Sequence, residues 1–276
     1  MPRRKSSTTD GKIKKCRGQG HGVDYAPFLF TREVPSMGKS SRIKGWKTGR
    51  VHHFLSTLES NYFYVLEWSL LVLDIREQYP LPLDATQKIA ERLSIKHPFN
   101  VKAKEPAVLT TDFLIDVEND GNTVLKARSI KYASDLNDLR TIEKLEIERT
   151  YWTEQGVDWG IVTEFEVPKD LAKNIEWLHS ALDPSEAPGL SAKEIPFLEN
   201  ELYEQLAAKP TATLAQIGME FDKRLGLRGG TALWVVRHLI ASRQWEVDMM
   251  GRISPRQSLK VKRTAGVLSV QGERLR

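Results

Sequence analysis

The sequence predicts a mixed α/β domain followed by a smaller, largely helical one, and three features carry that expectation. Short segments rich in apolar residues, "SLLVLDIREQYPL", "AVLTTDFLIDV", "TVLKARSIKY" and "VDWGIVTEFEV", bounded by turn residues, read as strands. Between and around them lie segments with helical spacing, among them "DLNDLRTIEKLEIERTYWTEQG". Beyond "DPSEAPGL" the strand pattern gives way to three short helical segments. A chain of 276 residues with 40% hydrophobic residues can give two domains a core each. No run approaches eighteen apolar residues, and the basic start "MPRRKSSTTDGKIKKCRGQG" has no apolar stretch after it, so a soluble, cytoplasmic protein without membrane contact is expected. Cys16 is alone, which excludes a disulfide framework and a cysteine-based zinc site.

In order, residues 1–50 read as a basic N-terminal arm. They hold 13 Lys and Arg against Asp10, Asp24 and Glu33, a net charge of +10. Residues 252–276 hold seven against Glu273, a net of +6, which leaves the middle at −11. Basic ends around an acidic centre suit arms that hold a polyanion and a centre that holds cations; solvated tails are the plain alternative. Lys12, Lys14, Lys15, Arg17, Lys44, Lys47 and Arg50, threaded among Gly and Ser, are the expected phosphate contacts.

Val51, Leu55, Leu58, Tyr62 and Val65 fall at spacings of three and four and predict an amphipathic helix with Glu59 at the edge of its apolar face. A strand ended by Pro80 and Pro82 follows, then a short polar helix over "DATQKIAERLSIKHP". Two strands joined through "ENDGN" form a hairpin, because Asp-Gly supplies the positive φ that a tight turn requires. Ser134 is the expected cap of the long helix. The α/β domain thus spans residues 51–168. In residues 169–276, "AKEIPFLENELYEQLAAK", "TLAQIGMEFDKRLG" and "TALWVVRHLIASRQ" are three helices, and "WEVDM" and "SLKVKR" are strand-like. The outline is a winged helix-turn-helix with a basic tail, or else a plain small helical domain.

An acid and a lysine inside neighbouring apolar strands, Asp112 and Lys131, are the chemical signal. An unpaired buried ion costs several kcal/mol, so strand interiors tend to exclude charge. The spacing resembles the carboxylate and lysine layout of metal-dependent nucleases, except that Ser129 stands two before the lysine where an acid is usual. A surface ion pair would give the same two residues. Hydrolysing a phosphodiester with a hard cation such as Mg2+ needs oxygen donors. Asp112, Glu59 and the Ile130 backbone carbonyl can supply them, with Lys131 placed to orient water or stabilise charge on phosphorus. On this reading Glu59 and the Ile130 carbonyl do most of what the absent acid would do, and Ser129 is a weak further ligand. Glu146 and Glu148 read as a solvated helix face, with Glu148 within reach of a second metal. His52 and His53 have no third His or Cys at zinc spacing. No phosphate-binding loop of the G-x-x-x-x-G-K-[ST] kind occurs, and "RGQGHG" lacks the preceding strand that a dinucleotide loop needs.

The strings "RGQGHGVDYAPF", "EVPSMGKSSRIKGWKTGRVHHFLSTLE", "LEWSLLVLDIREQYPL", "KHP", "TTDFLIDV" and "RTIEKLEIERTYW" resemble the TnsA family, endonuclease subunits of Tn-seven-type heteromeric transposases. The likeness runs from about residue 17 to about 180. It implies a restriction-endonuclease-like mixed-sheet nuclease core over residues 51–168 and a winged-helix-like C-terminal domain. It places the catalytic Glu, Asp and Lys on Glu59, Asp112 and Lys131, with Ser129 standing where a relative has Gln. It further implies Mg2+, with Mn2+ as a substitute, and cleavage of double-stranded DNA at the 5′ side of transposon ends while a TnsB-type transposase cuts and joins the 3′ strands. A TnsC-type ATPase regulator is the second implied partner, and the setting a bacterial cytoplasm, on the nucleoid when active. A non-catalytic DNA-binding adaptor and a stand-alone restriction endonuclease are the competing functions.

Overall fold

The computed structural model describes residues 9–33, 39–101 and 103–264. The chain divides into two compact units, residues 1–167 and 168–276. Residues 1–8, 34–38 and the basic tail from 265 lie outside the described residues. No helix among those described is long and apolar enough to cross a membrane.

The first unit opens with a segment that is not a free arm. Tyr25 and Phe28 are buried, the Tyr25 hydroxyl donates to the Glu77 carbonyl at 3.0 Å, and the Phe28 amide donates to the Gln78 carbonyl at 3.2 Å. The arm also has no boundary at residue 50. Strand β1, Ser41–Lys44, pairs antiparallel with β2, Val51–Phe54, across the turn at Gly45–Gly49. The expected helix therefore starts later than its apolar spacing suggested. Residues 51–54 fit the three-and-four spacing by coincidence, and their exposed–buried alternation serves a strand. Ser56 stops the strand: extended at φ −141°, it accepts from the Glu59 amide at 3.1 Å and caps helix α1, Thr57–Trp68.

A four-stranded sheet follows, in the order β3 (Val72–Pro80), β4 (Thr110–Asn119), β5 (Asn122–Ile130) and β6 (Asp158–Val162). The first two pairings are antiparallel and the last is parallel, so the sheet is mixed. The β4–β5 turn has Asp120 at φ 49° and Gly121 at φ 79°, as its Asp-Gly pair predicts. Helix α2, Leu83–Arg92, follows Pro82, and helix α3, Leu139–Glu154, carries the chain from β5 to the parallel β6. Asp138, not Ser134, caps α3, accepting from the Thr141 amide at 2.8 Å; residues Ala133–Asn137 form a 3-10 turn instead. Apolar packing lies on both faces of the sheet. Phe113 stacks with Phe54 and meets Tyr62 edge-on, whereas the next residue, Leu114, packs with Leu81, Ala127 and Trp152.

The second unit holds helices α4 (Lys169–Leu178), α5 (Ile195–Ala208), α6 (Leu214–Leu225) and α7 (Thr231–Ala241), and a short antiparallel pairing of β7 (Trp245–Glu246) with β8 (Lys262–Arg263). Thr213 and Gln216 close a reciprocal capping box at the start of α6. Gly226, at φ 65°, ends that helix, and the Asp222 carboxylate then accepts from the Gly230 and Ala232 amides, tying α6 to the start of α7.

Candidate active site

Four elements of the first unit bring charge to one place. Asp112 comes from β4. Its Oδ2 accepts from the Ile130 amide at 2.7 Å and from Nζ of Lys131 at 2.8 Å. The same ammonium donates to the Ile130 carbonyl at 2.8 Å. The lysine thus bridges two oxygens that the sequence assigns to a cation. Burial disfavours its charge, but Asp112, with help from Glu148 and Glu59, raises its pKa on balance.

Glu59 arrives from the first turn of α1 and is buried. Oε2 accepts from the Leu55 amide at 3.0 Å and Oε1 from the Ser56 hydroxyl at 2.9 Å, so Ser56 and Glu59 form a capping box. Burial, and then the charge of Asp112, push the Glu59 carboxyl up to about 7.

Glu148, expected on a solvated face, comes instead from the buried side of α3. It is buried, and Oε1 accepts from the Ser129 hydroxyl at 2.5 Å and from Nε1 of Trp159 at 3.2 Å. Burial and then Asp112 push it up to about 7 as well. Where an acid is usual, Ser129 instead donates to a carboxylate brought by a helix nineteen residues on. Glu146 lies on the outer side of the helix, paired with Arg149. Sequence reasoning missed Gln78 altogether. It is buried at φ 50° in β3, and its Nε2 lies 3.3 Å from Oδ1 of Asp112.

Two of the expected phosphate contacts are engaged elsewhere. Arg17 is buried and holds Glu33 with both guanidinium nitrogens, at 2.6 and 2.9 Å, and the Phe28 carbonyl at 3.2 Å. Arg50 is buried against Glu77 and the Ile75 carbonyl. Burial raises Glu77, but Arg50 and His52 outweigh it and hold the carboxyl near 2. Lys12 is half-buried, its ammonium 4.6 Å from the Phe28 ring centre and 4.0 Å from Glu33. Lys47 is half-buried as well, while Lys14, Lys15 and Lys44 are exposed. His52 is fully buried between Glu77 and Thr48, a structural role.

Among the described residues, His21, Asp74 and Asp116 place ligand atoms within 4.8 Å of one another. Arg76 already brings positive charge there, bonded to Asp116 and 3.7 Å from Asp74. Around Asp112, the Lys131 ammonium directly joins one carboxylate and the Ile130 carbonyl, and the buried Glu59 and Glu148 act on the pair through their charge.

Residues 71–164 match the family model described as TnsA-like endonuclease N terminal, and residues 166–249 the one described as TnsA endonuclease C terminal. The Escherichia coli protein named transposon Tn7 transposition protein TnsA is 44% identical over 215 residues, which cover 78% of this chain and 77% of that protein. Asp112, Ser129, Lys131 and Glu148 all lie within the first matched stretch, on the mixed sheet and its crossover helix, and the chain belongs to the TnsA family of transposition endonucleases.

Proposed function

We propose that the chain is the Mg2+-dependent endonuclease subunit of a heteromeric transposase, hydrolysing the phosphodiester at the 5′ side of each transposon end. A TnsB-type partner cuts and joins the 3′ strands, and a TnsC-type ATPase regulates the assembly, which works in the bacterial cytoplasm on the nucleoid. The observation that carries this reading is the Lys131–Asp112 pair with two buried carboxylates, Glu59 and Glu148, coupled to Asp112 by charge, which supports a nuclease centre over an adaptor.

The donor set fits a hard cation. Asp112 and the Ile130 carbonyl already bind a cation, the Lys131 ammonium, and Glu59 and Glu148 are carboxylates that burial, and then the charge of Asp112, keep partly protonated. Mg2+, or Mn2+ as a substitute, would be held by Asp112, Glu59 and the Ile130 carbonyl, with Glu148 as a further ligand and Ser129 as its positioning donor. When bound, the ion neutralises non-bridging phosphate oxygens and makes water a stronger nucleophile at neutral pH. Lys131 then orients the attacking water or stabilises charge gathering on phosphorus. The Trp159 and Ser129 donors keep Glu148 turned inward throughout.

The second unit, in which helices α5, α6 and α7 precede an antiparallel strand pair, supports a winged-helix-like module that docks the protein partners. The exposed Lys14, Lys15 and Lys44 are general phosphate contacts, so DNA is brought to the site without base reading by these residues. Calorimetric titration of the full chain with Mg2+ tests the metal assignment. Asp112→Ala and Glu59→Ala should each lower affinity by at least tenfold, and unchanged binding in both would contradict it.

A further inference from the structure

Arg32 and Arg42 are exposed, and neither forms an ion pair with an acid among the described residues, unlike Arg17 and Arg50. Both line a hollow of about 610 Å³ together with Phe30, Thr31, Ser40 and His53. No acidic side chain is in its wall among the described residues. The hairpin builds one side of it. Arg42 faces His53 across the strands and Lys44 faces Val51. Cross-strand partners share a face, so two cations and a histidine stand on the outer surface while His52 and Phe54 turn into the core. Phe30 forms the floor, edge-on to His53 at 4.8 Å, and the Arg32 guanidinium lies 5.3 Å from its ring centre. Thr31 bonds the His53 ring at 3.3 Å. Burial lowers the pKa of His53, Glu77 pulls it up, and Arg42, Arg32 and Arg50 lower it again.

Guanidinium and hydroxyl donors around an acid-free hollow are the chemistry of phosphate oxygens. The volume suits a nucleotide-sized segment better than a lone inorganic ion. The hollow is also tied to the catalytic helix. His53 precedes Glu59 by six residues, a span of at most about 20 Å between their Cα atoms. At one charge per ~1.7 Å of duplex, one DNA molecule can touch both.

We infer that this hollow binds a backbone phosphate of the DNA substrate through Arg32 and Arg42, with Lys44 beside it on the hairpin face. The inference rests on the chain being a DNA endonuclease and adds where the strand is gripped. Contacts of this kind carry no sequence information, so they fix position on any duplex.

The test is DNA binding by the full chain in EDTA, followed by fluorescence anisotropy from about 50 to 200 mM salt. Each arginine that contacts phosphate adds roughly 0.9 to the slope of log affinity against log salt. R32A and R42A should each flatten the slope by about 0.9, and the double variant by about 1.8. The loss should be equal on end and unrelated sequences, and R42K should keep most of the slope. Both side chains are exposed, so melting temperature should not change. An unchanged slope in the double variant overturns the inference, as does a loss confined to one sequence or an unsubstituted chain that fails to bind at 50 mM salt. The assay contains no metal and scores no cleavage, so these outcomes leave the chemistry at Asp112 untouched, and a failure of that chemistry would leave the slopes unchanged.

Discussion

The Ser129 hydroxyl donates a 2.5 Å hydrogen bond to Oε1 of Glu148 across nineteen residues of sequence. If Glu148 takes the place of a strand acid, with Ser129 on β5 as its donor, the two residues carry different roles. The two partners should then differ in consequence. Ser129→Ala removes one donor of at least two, because Nε1 of Trp159 still holds Glu148. It should slow 5′-strand cleavage by no more than about tenfold, or about 1.4 kcal/mol of barrier. Glu148→Ala removes the carboxylate and should cost at least a hundredfold. Single-turnover cleavage by the assembled complex compares them, and equal losses would show that Ser129 is itself a ligand.

The raised carboxyls set a pH dependence with a definite sign. Glu148 moves from an ordinary 4.5 to about 7 through burial and then Asp112, and Glu59 moves likewise. Between about 4.5 and 7 the native state therefore holds more protons than the unfolded chain, so the stability of the metal-free protein falls as pH rises through that window. Glu148→Gln keeps the hydrogen bond and discards the charge. In EDTA it should melt several degrees above the unsubstituted chain at pH 8 and near it at pH 5, while cleavage is lost. A lower melting temperature at pH 8 would mean that the buried charge is already compensated.

Arg17 and Arg50 should behave as structural residues and not as DNA contacts. Arg50→Ala strands the fully buried Glu77, a loss on the order of 3–5 kcal/mol. Glu77 is depressed to about 2, so its contribution is present above about 4.5 and lost as pH falls towards 2. Urea unfolding at pH 7 should show both variants destabilised, Arg50→Ala more than Arg17→Ala, whose partner Glu33 is partly exposed. Replacing Lys14 and Lys15 with Ala should instead leave stability alone and flatten the salt dependence of DNA binding by up to about 1.8. A flattened slope in Arg17→Ala with unchanged stability would restore that residue to the DNA surface.

A single chain carries some kinds of structural information and not others. Asp120-Gly121 announces its hairpin because the turn demands a positive φ that few residues tolerate, and the division after Val167 follows a change of hydrophobic period. Residues 51–54 are ambiguous, since four residues can satisfy helical and strand spacing at once, and only the Ser56 cap decides. Glu148 is invisible on its own helix, where charge surrounds it on both sides in the sequence. Its burial depends on Ser129 and Trp159, which only the folded sheet brings near. Arg17 and Arg50 mislead for the same reason: net charge counts them as free, while Glu33 and Glu77 hold them from other segments.

The most direct test of the central claim is strand-resolved cleavage of transposon ends by the assembled complex carrying Asp112→Ala. The account predicts loss of 5′-strand cleavage by at least a thousandfold, with 3′-strand cleavage by the partner and assembly on DNA retained. Removal of divalent metal should abolish 5′-strand cutting in the unsubstituted complex as well. Cleavage of the 5′ strand that persists in Asp112→Ala at the unsubstituted rate would place the chemistry elsewhere and contradict the account.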